Sequence, residues 1–195
     1  MKRRTARIER KTGETDVQVL LNLDGQGQAQ ISTGLGFLDH MIETLARHAR
    51  FDLTLNCQGD LRVDDHHTTE DCALAIGQAI DQALGDRRGI TRFGWAYAPL
   101  DESLARGCVD LSGRPFVEVE IGLKGEKVGE LVAENIAHFV NSLAMTSRST
   151  IHVNVLKGIN DHHRAEAAFK ALALALRQAV SVDGGRSVPS TKGVL

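Results

Sequence analysis

Two short segments combine neighbouring histidines with a glutamate three residues further along, which is an arrangement of metal-binding side chains. They are His66-His67-Thr68-Thr69-Glu70 and His162-His163-Arg164-Ala165-Glu166. Neutral imidazole together with carboxylate suits Mn, Fe, Co or Zn, and no thiolate is placed to favour Zn strongly. A single segment of this kind is a weak signal, because isolated histidines are often structural. Its occurrence twice in one chain predicts a metal-dependent protein.

The two segments occupy matching positions in a duplicated sequence. Asp39-His40-Met41-Ile42 aligns with Ala137-His138-Phe139-Val140, and each lone histidine precedes its His-His pair, by 26 residues in one copy and 24 in the other. Such internal similarity indicates duplication of one structural unit. The ligand candidates are His40, His66, His67, Glu70, His138, His162, His163 and Glu166. They divide evenly into two sites of three histidines and one glutamate, with coordination positions left open for a substrate.

Helical geometry constrains how each pair can act. Adjacent residues on a helix point about 100° apart, whereas residues three or four apart share a face. Glu70 therefore shares a face with His66 or His67, while the two histidines diverge. Diverging histidines suit two different ions better than one. Three nearby acidic residues are expected to cap the helices or support the ligands: Asp64, Asp65 and Asp161.

The hydrophobic pattern predicts the elements that position these side chains. In the first half it indicates a hairpin of strands 3–10 and 15–23, a strand near 28–32, a helix over 38–49, a strand over 51–57 and a helix over 68–84. The second half repeats the order with strands near 92–98, 104–111 and 115–121, a helix over 130–146, a strand over 150–156 and a helix over 162–180. The sequence therefore predicts an α+β fold of two β-β-β-α-β-α units, with helices packed against four-stranded sheets. We expect one compact domain with halves 1–88 and 89–182, followed by an irregular tail, 183–195.

Composition excludes several classes of function. The formal net charge of −2 over 195 residues gives no electrostatic footprint for nucleic acid or an anionic membrane. No apolar run approaches the ~20 residues that a membrane helix needs, and no apolar segment follows the basic first residues. Cys57, Cys72 and Cys108 are an odd number without C-x-x-C spacing. We expect reduced thiols in a cytoplasmic protein.

Together the segments resemble those of the imidazoleglycerol-phosphate dehydratase family of histidine biosynthesis, in its monofunctional form. The resemblance runs nearly end to end. The segments that carry it are Arg10–Thr15, Gly36–Met41, Asp65–Asp71, Asp110–Pro115, His138-Phe139, Lys157–Ala167 and Pro189–Gly193.

This resemblance implies a reaction and an assembly. D-erythro-imidazole-glycerol phosphate would lose water to give imidazole-acetol phosphate, through an imidazolate stabilised by two Mn ions. Trimers would assemble into a shell of 24 subunits, with the sites at subunit boundaries. Glu14 matches the family's proton-transfer glutamate, and four residues match its substrate-binding positions: Arg92, Arg114, Ser190 and Lys192. His48, which follows His40 on the same helix, is open between a substrate contact and a structural role.

Two other functions stay open from the residues alone. A different dinuclear hydrolase could use the same eight ligands with a metal-bound hydroxide and a base. A metal-assembled structural or storage protein could use them without catalysis. The segments around Glu14, Arg114 and Lys192 argue against the hydrolase, and a storage protein would not need Glu14 or the cationic tail.

Overall fold

The computed structural model describes residues 4–182, 184–185, 187–191, 193 and 195. The first half forms two strands, a short strand, a helix, a strand and a long helix. In order these are β1 (Thr5–Lys11), β2 (Thr15–Asn22), β3 (Ala29–Ser32), α1 (Gly36–Ala49), β4 (Asp52–Gly59) and α2 (His66–Leu84).

The second half repeats this order and adds a small hairpin before its first helix. Its elements are β5 (Phe93–Leu100), β6 (Ser103–Asp110), β7 (Phe116–Glu120), β8 (Lys127–Val128), β9 (Leu131–Val132), α3 (Ala133–Ser147), β10 (Thr150–Lys157) and α4 (Asp161–Ala179).

The two halves have the same sheet topology. The strand orders are β1-β2-β4-β3 and β5-β6-β10-β7, and in each sheet the short strand pairs parallel while the other pairs are antiparallel. The predicted α+β fold of two β-β-β-α-β-α units is therefore confirmed. The β8–β9 hairpin was not predicted, because strands of two residues are too short to show an alternating pattern.

The core lies between the two sheets and is filled by the helices. Every second residue of β2 is buried, including Val17, Val19 and Leu21, as expected for a strand with one face on the core. α2 packs on the first sheet and α4 on the second, while α1 packs against α4 and α3 against α2. Gly77 permits the α2–α3 approach, because a Cβ there would collide with Thr146. This packing across the halves brings residues of one repeat beside those of the other.

The two long helices begin at the His-His pairs. Asp64 accepts a hydrogen bond from the His66 backbone N–H at 2.9 Å, as predicted for a capping residue. The carboxylates of Asp65 and Asp161 do not cap the helices; they accept hydrogen bonds from backbone N–H groups in and just before the β8–β9 hairpin. The alternative expectation, that they support the ligands, stays a prediction. α4 is capped instead by Asn160. These carboxylates therefore tie the hairpin to the helix starts.

Two further observations concern the cysteines and the helices. All three cysteines are free thiols, and Cys57 and Cys72 are buried. Within the described part of the chain, none of the helices combines the length and the apolar character needed to cross a membrane.

Candidate metal centres

The first group of predicted ligands joins α1 to α4. The Nε2 atoms of His40 and His162 lie 3.2 Å and 3.1 Å from the same carboxylate oxygen, Oε2 of Glu166. His162 and Glu166 are four residues apart and share one face of α4. All three ligand atoms lie within 4.8 Å of one another. Two imidazole nitrogens and one carboxylate oxygen form a donor set that suits a divalent transition-metal ion.

The second group joins α2 to α3 with the same chemistry. His138 Nε2 lies 3.2 Å from Glu70 Oε1, and the His66 ring stacks on the His138 ring at a centroid distance of 4.8 Å. His66 Nδ1 lies 3.0 Å from the side-chain oxygen of the buried Asn135. Among the described residues, these two groups are the ones in which three potential metal ligands converge.

Each cluster takes ligands from both repeats. His40 of the first half joins His162 and Glu166 of the second, while His138 of the second half joins His66 and Glu70 of the first. The cause is the helix packing, because α1 contacts α4 and α3 contacts α2. Sequence spacing had left the partition of the ligands open.

The second histidine of each pair lies outside the clusters of its own chain. The His67 ring is turned 79° from that of His66, and the His163 ring is turned 89° from that of His162. This divergence follows from adjacent positions on a helix. Both side chains are about 30% exposed, at 31% and 30%. One chain therefore gathers three of the four ligands predicted for each site.

Glu14 lies beside one of these outlying histidines. Its Oε1 atom is 3.6 Å from His67 Nε2, and its side chain is 53% exposed. The turn that carries it is fastened to α2 by the buried Asp71, which accepts hydrogen bonds from Arg10 Nη1 at 2.7 Å and from the Thr15 hydroxyl. The predicted proton-transfer residue and a predicted ligand are thus neighbours in one chain.

The two cluster glutamates differ in their surroundings. Burial opposes ionisation of Glu166, but hydrogen bonds from Lys170 and His40 outweigh it and lower the pKa of Glu166 to about 2. The Lys170 ammonium lies 2.8 Å from Glu166 Oε1. Leu74 stands at the matching position of α2, so Glu70 has no such lysine. The Glu166 carboxylate is therefore ionised at neutral pH.

His48 lies next to the first cluster. It lines a cavity of about 320 Å³ together with His40, Glu43, Thr44, Arg47 and Ala29. Burial, followed by the positive charge of Lys170, lowers the pKa of His48. A neutral imidazole in a cavity beside the cluster is compatible with a substrate contact, which stays a prediction.

The predicted phosphate-binding residues gather elsewhere. Arg92 has a left-handed backbone (φ +71°) and is bound bidentately by Asp110, with distances of 2.7 Å and 3.1 Å. Its Nη1 atom donates to the Pro189 carbonyl at 2.7 Å, which places Ser190 close by. The side chain of Arg114 is exposed in the loop before β7. Lys192 lies outside the described residues.

Strand register separates these arginines from the first cluster. Phe93, Asp110, Thr150 and Phe116 pair in one row across the second sheet, so Arg92 and Arg114 share one end of it. The 101–102 turn, which contacts His163, closes the opposite end of β5. A strand of 8 residues spans roughly 23 Å. Within the described part of one chain, Arg92 and Arg114 therefore lie at the end of the sheet away from this cluster.

Comparison with known proteins decides the family. A family model described as imidazoleglycerol-phosphate dehydratase matches residues 33–176. The chain belongs to the imidazoleglycerol-phosphate dehydratase family. Dehydratases are hydro-lyases, so the chain is an enzyme of that class.

Individual relatives in this dehydratase family agree over the whole chain. The Saccharomyces cerevisiae protein is 50% identical over 219 residues, with 100% of both chains covered. The Zymomonas mobilis protein is 53% identical over 194 residues, covering 98% of this chain and 99% of that one. A Phytophthora nicotianae protein is 58% identical over 192 residues, but the chain spans only 42% of its length. All three are named imidazoleglycerol-phosphate dehydratase.

Solved structures of the family have the same fold. The Staphylococcus aureus dehydratase has a TM-score of 0.83 and 35% identity, covering 91% of this chain and 99% of its own. The Pyrococcus furiosus enzyme, in complex with (S)-C348, has a TM-score of 0.84 and 37% identity, covering 96% and 100%.

Several residues that contact the predicted ligands were missed by the sequence reasoning. Lys170 could have been found, because a lysine four residues after a helical glutamate is a recognisable ion-pair spacing. The others act across the fold and leave no local pattern. They are Asn135 beside His66, Asp60 beside His67 and Glu102 beside His163.

Proposed function

We propose that the chain dehydrates D-erythro-imidazole-glycerol phosphate to imidazole-acetol phosphate in histidine biosynthesis. The observation that carries the proposal is the pair of His-His-Glu clusters, each built from both repeats, in a chain of this dehydratase family. We further propose a cytoplasmic location, in which the three free thiols stay reduced.

The cluster residues fit two divalent ions, for which we propose manganese. Each cluster offers two imidazole nitrogens and one carboxylate oxygen, and with a fourth ligand it would still leave positions open for a substrate. When bound, the ions would supply positive charge that favours the ionised form of the substrate imidazole. His40, His162 and Glu166 would hold one ion. His66, Glu70 and His138 would hold the other.

The chain's own residues supply the remaining chemistry. Loss of water requires a proton for the departing hydroxyl and removal of a proton from the adjacent carbon. Glu14 suits proton transfer, because its carboxylate is half exposed and lies beside His67. Arg92, Arg114, Ser190 and Lys192 would bind the phosphate, since a guanidinium engages phosphate bidentately.

We propose that the complete site forms between subunits. His67 and His163 are partly exposed and diverge from the clusters of their own chain, so they are free to serve as the fourth ligands in another copy. The separation of Arg92 and Arg114 from the first cluster also favours a site shared between copies. The family resemblance suggests trimers that assemble into a 24-subunit shell.

An exposed apolar face supports self-association. Phe93, Trp95 and Tyr97 alternate along the edge strand β5 with exposed fractions of 47%, 62% and 56%, and Phe116 of β7 is 54% exposed. Large exposed aromatic patches on a soluble domain commonly mark interaction surfaces. The same face of the first sheet carries polar side chains such as Arg7 and Glu9. The aromatic face is therefore specific to the second repeat.

One assay separates the candidate functions. Purified chain is stripped of metal, and imidazole-acetol phosphate formation is measured before and after Mn²⁺ is added back. A dehydratase loses turnover on stripping and regains it with Mn²⁺. A dinuclear hydrolase would release inorganic phosphate instead, and a storage protein would bind metal with no turnover. Full turnover by exhaustively stripped protein would refute the metal-dependent reaction.

A further inference from the structure

The two histidines outside the clusters share a feature that the cluster ligands do not explain. Each has a carboxylate on its Nδ1 atom. Glu102 Oε2 lies 2.7 Å from His163 Nδ1, and the Asp60 carboxylate oxygens lie 3.1 Å and 3.3 Å from His67 Nδ1. An ionised carboxylate can only accept hydrogen bonds. Both Nδ1 atoms must therefore carry a proton, which leaves each neutral ring with its lone pair on Nε2.

The two carboxylates have different freedom to rotate. Glu102 Oε1 accepts the backbone N–H groups of Ile159 and Asn160 at 3.0 Å and 2.9 Å, so its other oxygen must face His163. Among the contacts of the described residues, both Asp60 oxygens face His67 alone. Glu102 is anchored, and Asp60 can turn about its terminal bond.

The same contact is built from different parts of the two repeats. Asp60 directly follows β4, but the residue that directly follows the matching strand β10 is Gly158. Glu102 reaches His163 from the β5–β6 turn instead. A Cβ at Gly158 would collide with Ser103, so this glycine allows the turn to approach. Glu102 therefore did not arise as the duplicated copy of Asp60. What the two repeats share is that each of these histidines has a carboxylate that accepts a hydrogen bond from Nδ1.

We infer that Glu102 and Asp60 are positioning residues that fix His163 and His67 in the Nδ1–H tautomer and present Nε2 to a metal ion. A hydrogen bond on the far nitrogen is how metal-binding histidines are commonly oriented. The inference rests on the proposed function for the role of the metal. The tautomer itself is a property of the metal-free chain.

The anchoring of Glu102 makes Glu102→Gln a sharp test. The glutamine oxygen must replace Oε1, because an amide NH₂ there would face two N–H donors. The NH₂ group then faces His163 Nδ1, which has to become an acceptor. The proton moves to Nε2 and removes the lone pair intended for the metal. We expect ¹⁵N spectra of histidine-labelled, metal-free protein to show His163 switching to the Nε2–H form, assigned by its loss in His163→Asn.

Metal titration of the same variant gives the second readout. We expect the affinity for one of the two Mn²⁺ ions to fall ~10–100-fold, while the other ion binds as in the wild type. Asp60→Asn is the matched control. Its amide can rotate to keep oxygen toward His67 Nδ1, so His67 should keep its tautomer and the loss of affinity should stay below about tenfold.

Two results would overturn the inference. One is wild-type, metal-free protein, at a pH where the ring is neutral, in which His163 carries its proton on Nε2 and not on Nδ1. This measurement needs no variant and so cannot be confused with misfolding. The other is a folded Glu102→Gln protein that binds both ions with wild-type affinity. That result would show that Glu102 stabilises the 158–160 turn and does not position His163. Failure of the proposed function would look different, with the tautomers intact and no dehydration by the wild type.

Discussion

Removal of the Asp71 carboxylate should slow the reaction without removing metal. Asp71 fastens the Glu14 turn to α2 through Arg10 and Thr15. The matching position of α4 is Ala167, so Asp71→Ala gives the first repeat the residue that the second already has. Without the carboxylate, the turn loses its buried attachment, and Glu14 is no longer held beside His67.

The structure sets the size of the effect. The Asp71 side chain is only 6% exposed, but Arg10 is 27% exposed and could reach water once its partner is gone. The cost of breaking a fully buried pair, about 3–5 kcal/mol, is therefore an upper limit. Loss of charged hydrogen bonds, roughly 1.5–3 kcal/mol, is the better figure. A factor of ten in rate corresponds to about 1.4 kcal/mol. If the lost hydrogen-bond energy raises the activation barrier in full, kcat falls about 10- to 100-fold.

The assay is steady-state kinetics with metal analysis of the same preparation. We expect Asp71→Ala to lower kcat about 10- to 100-fold with unchanged metal content. Asp16→Ala on the same hairpin is the control, because the Lys11–Asp16 pair is 77% and 37% exposed. Such pairs contribute at most about 1 kcal/mol, so kcat should change no more than about fivefold. Wild-type kcat in Asp71→Ala would refute the reasoning, and loss of metal would show that Asp71 acts on the ligands instead.

Four further variants test other parts of the site. Glu14→Gln should keep its metal content and lower kcat by ~10²–10⁴-fold, whereas turnover within about twofold of wild type would remove Glu14 from the proton-transfer role. His67→Ala and His163→Ala should each give smaller particles in light scattering as well as inactive ones, because each variant lacks a ligand proposed to bridge two copies; an intact large shell without metal would contradict this. Truncation after Gly185 should spare fold, metal content and assembly but lower kcat/KM at least about tenfold through loss of phosphate contacts, and unchanged kinetics would mark the tail as an ordinary chain end.

Local periodicity was enough to predict most of the fold. The spacing of apolar residues predicted the ends of each strand in the two four-stranded sheets, and of each of the four helices, to within a few residues. Helix geometry correctly predicted that His66 and His67 diverge, but it left open which of the two shares a site with Glu70, and the structure groups Glu70 with His66. Duplication then predicted that the second sheet would repeat the first.

Contacts between distant elements could not be predicted in the same way. Nothing near His40 indicates that its cluster partners are on α4, since the α1–α4 packing is decided by the whole core. Asp60 and Glu102 support equivalent histidines from non-equivalent places, so alignment of the repeats hides their relation. The separation of Arg92 from the first cluster became visible only from the strand register.

Anomalous diffraction at the manganese edge, from crystals of the protein grown with Mn²⁺, tests the metal centres most directly. We expect two manganese peaks per chain, one at His40, His162 and Glu166 and one at His66, Glu70 and His138. Each ion should take its fourth protein ligand from His67 or His163 of a neighbouring copy. Absence of a peak at either cluster, or a fourth ligand from the same chain, would contradict the proposed site.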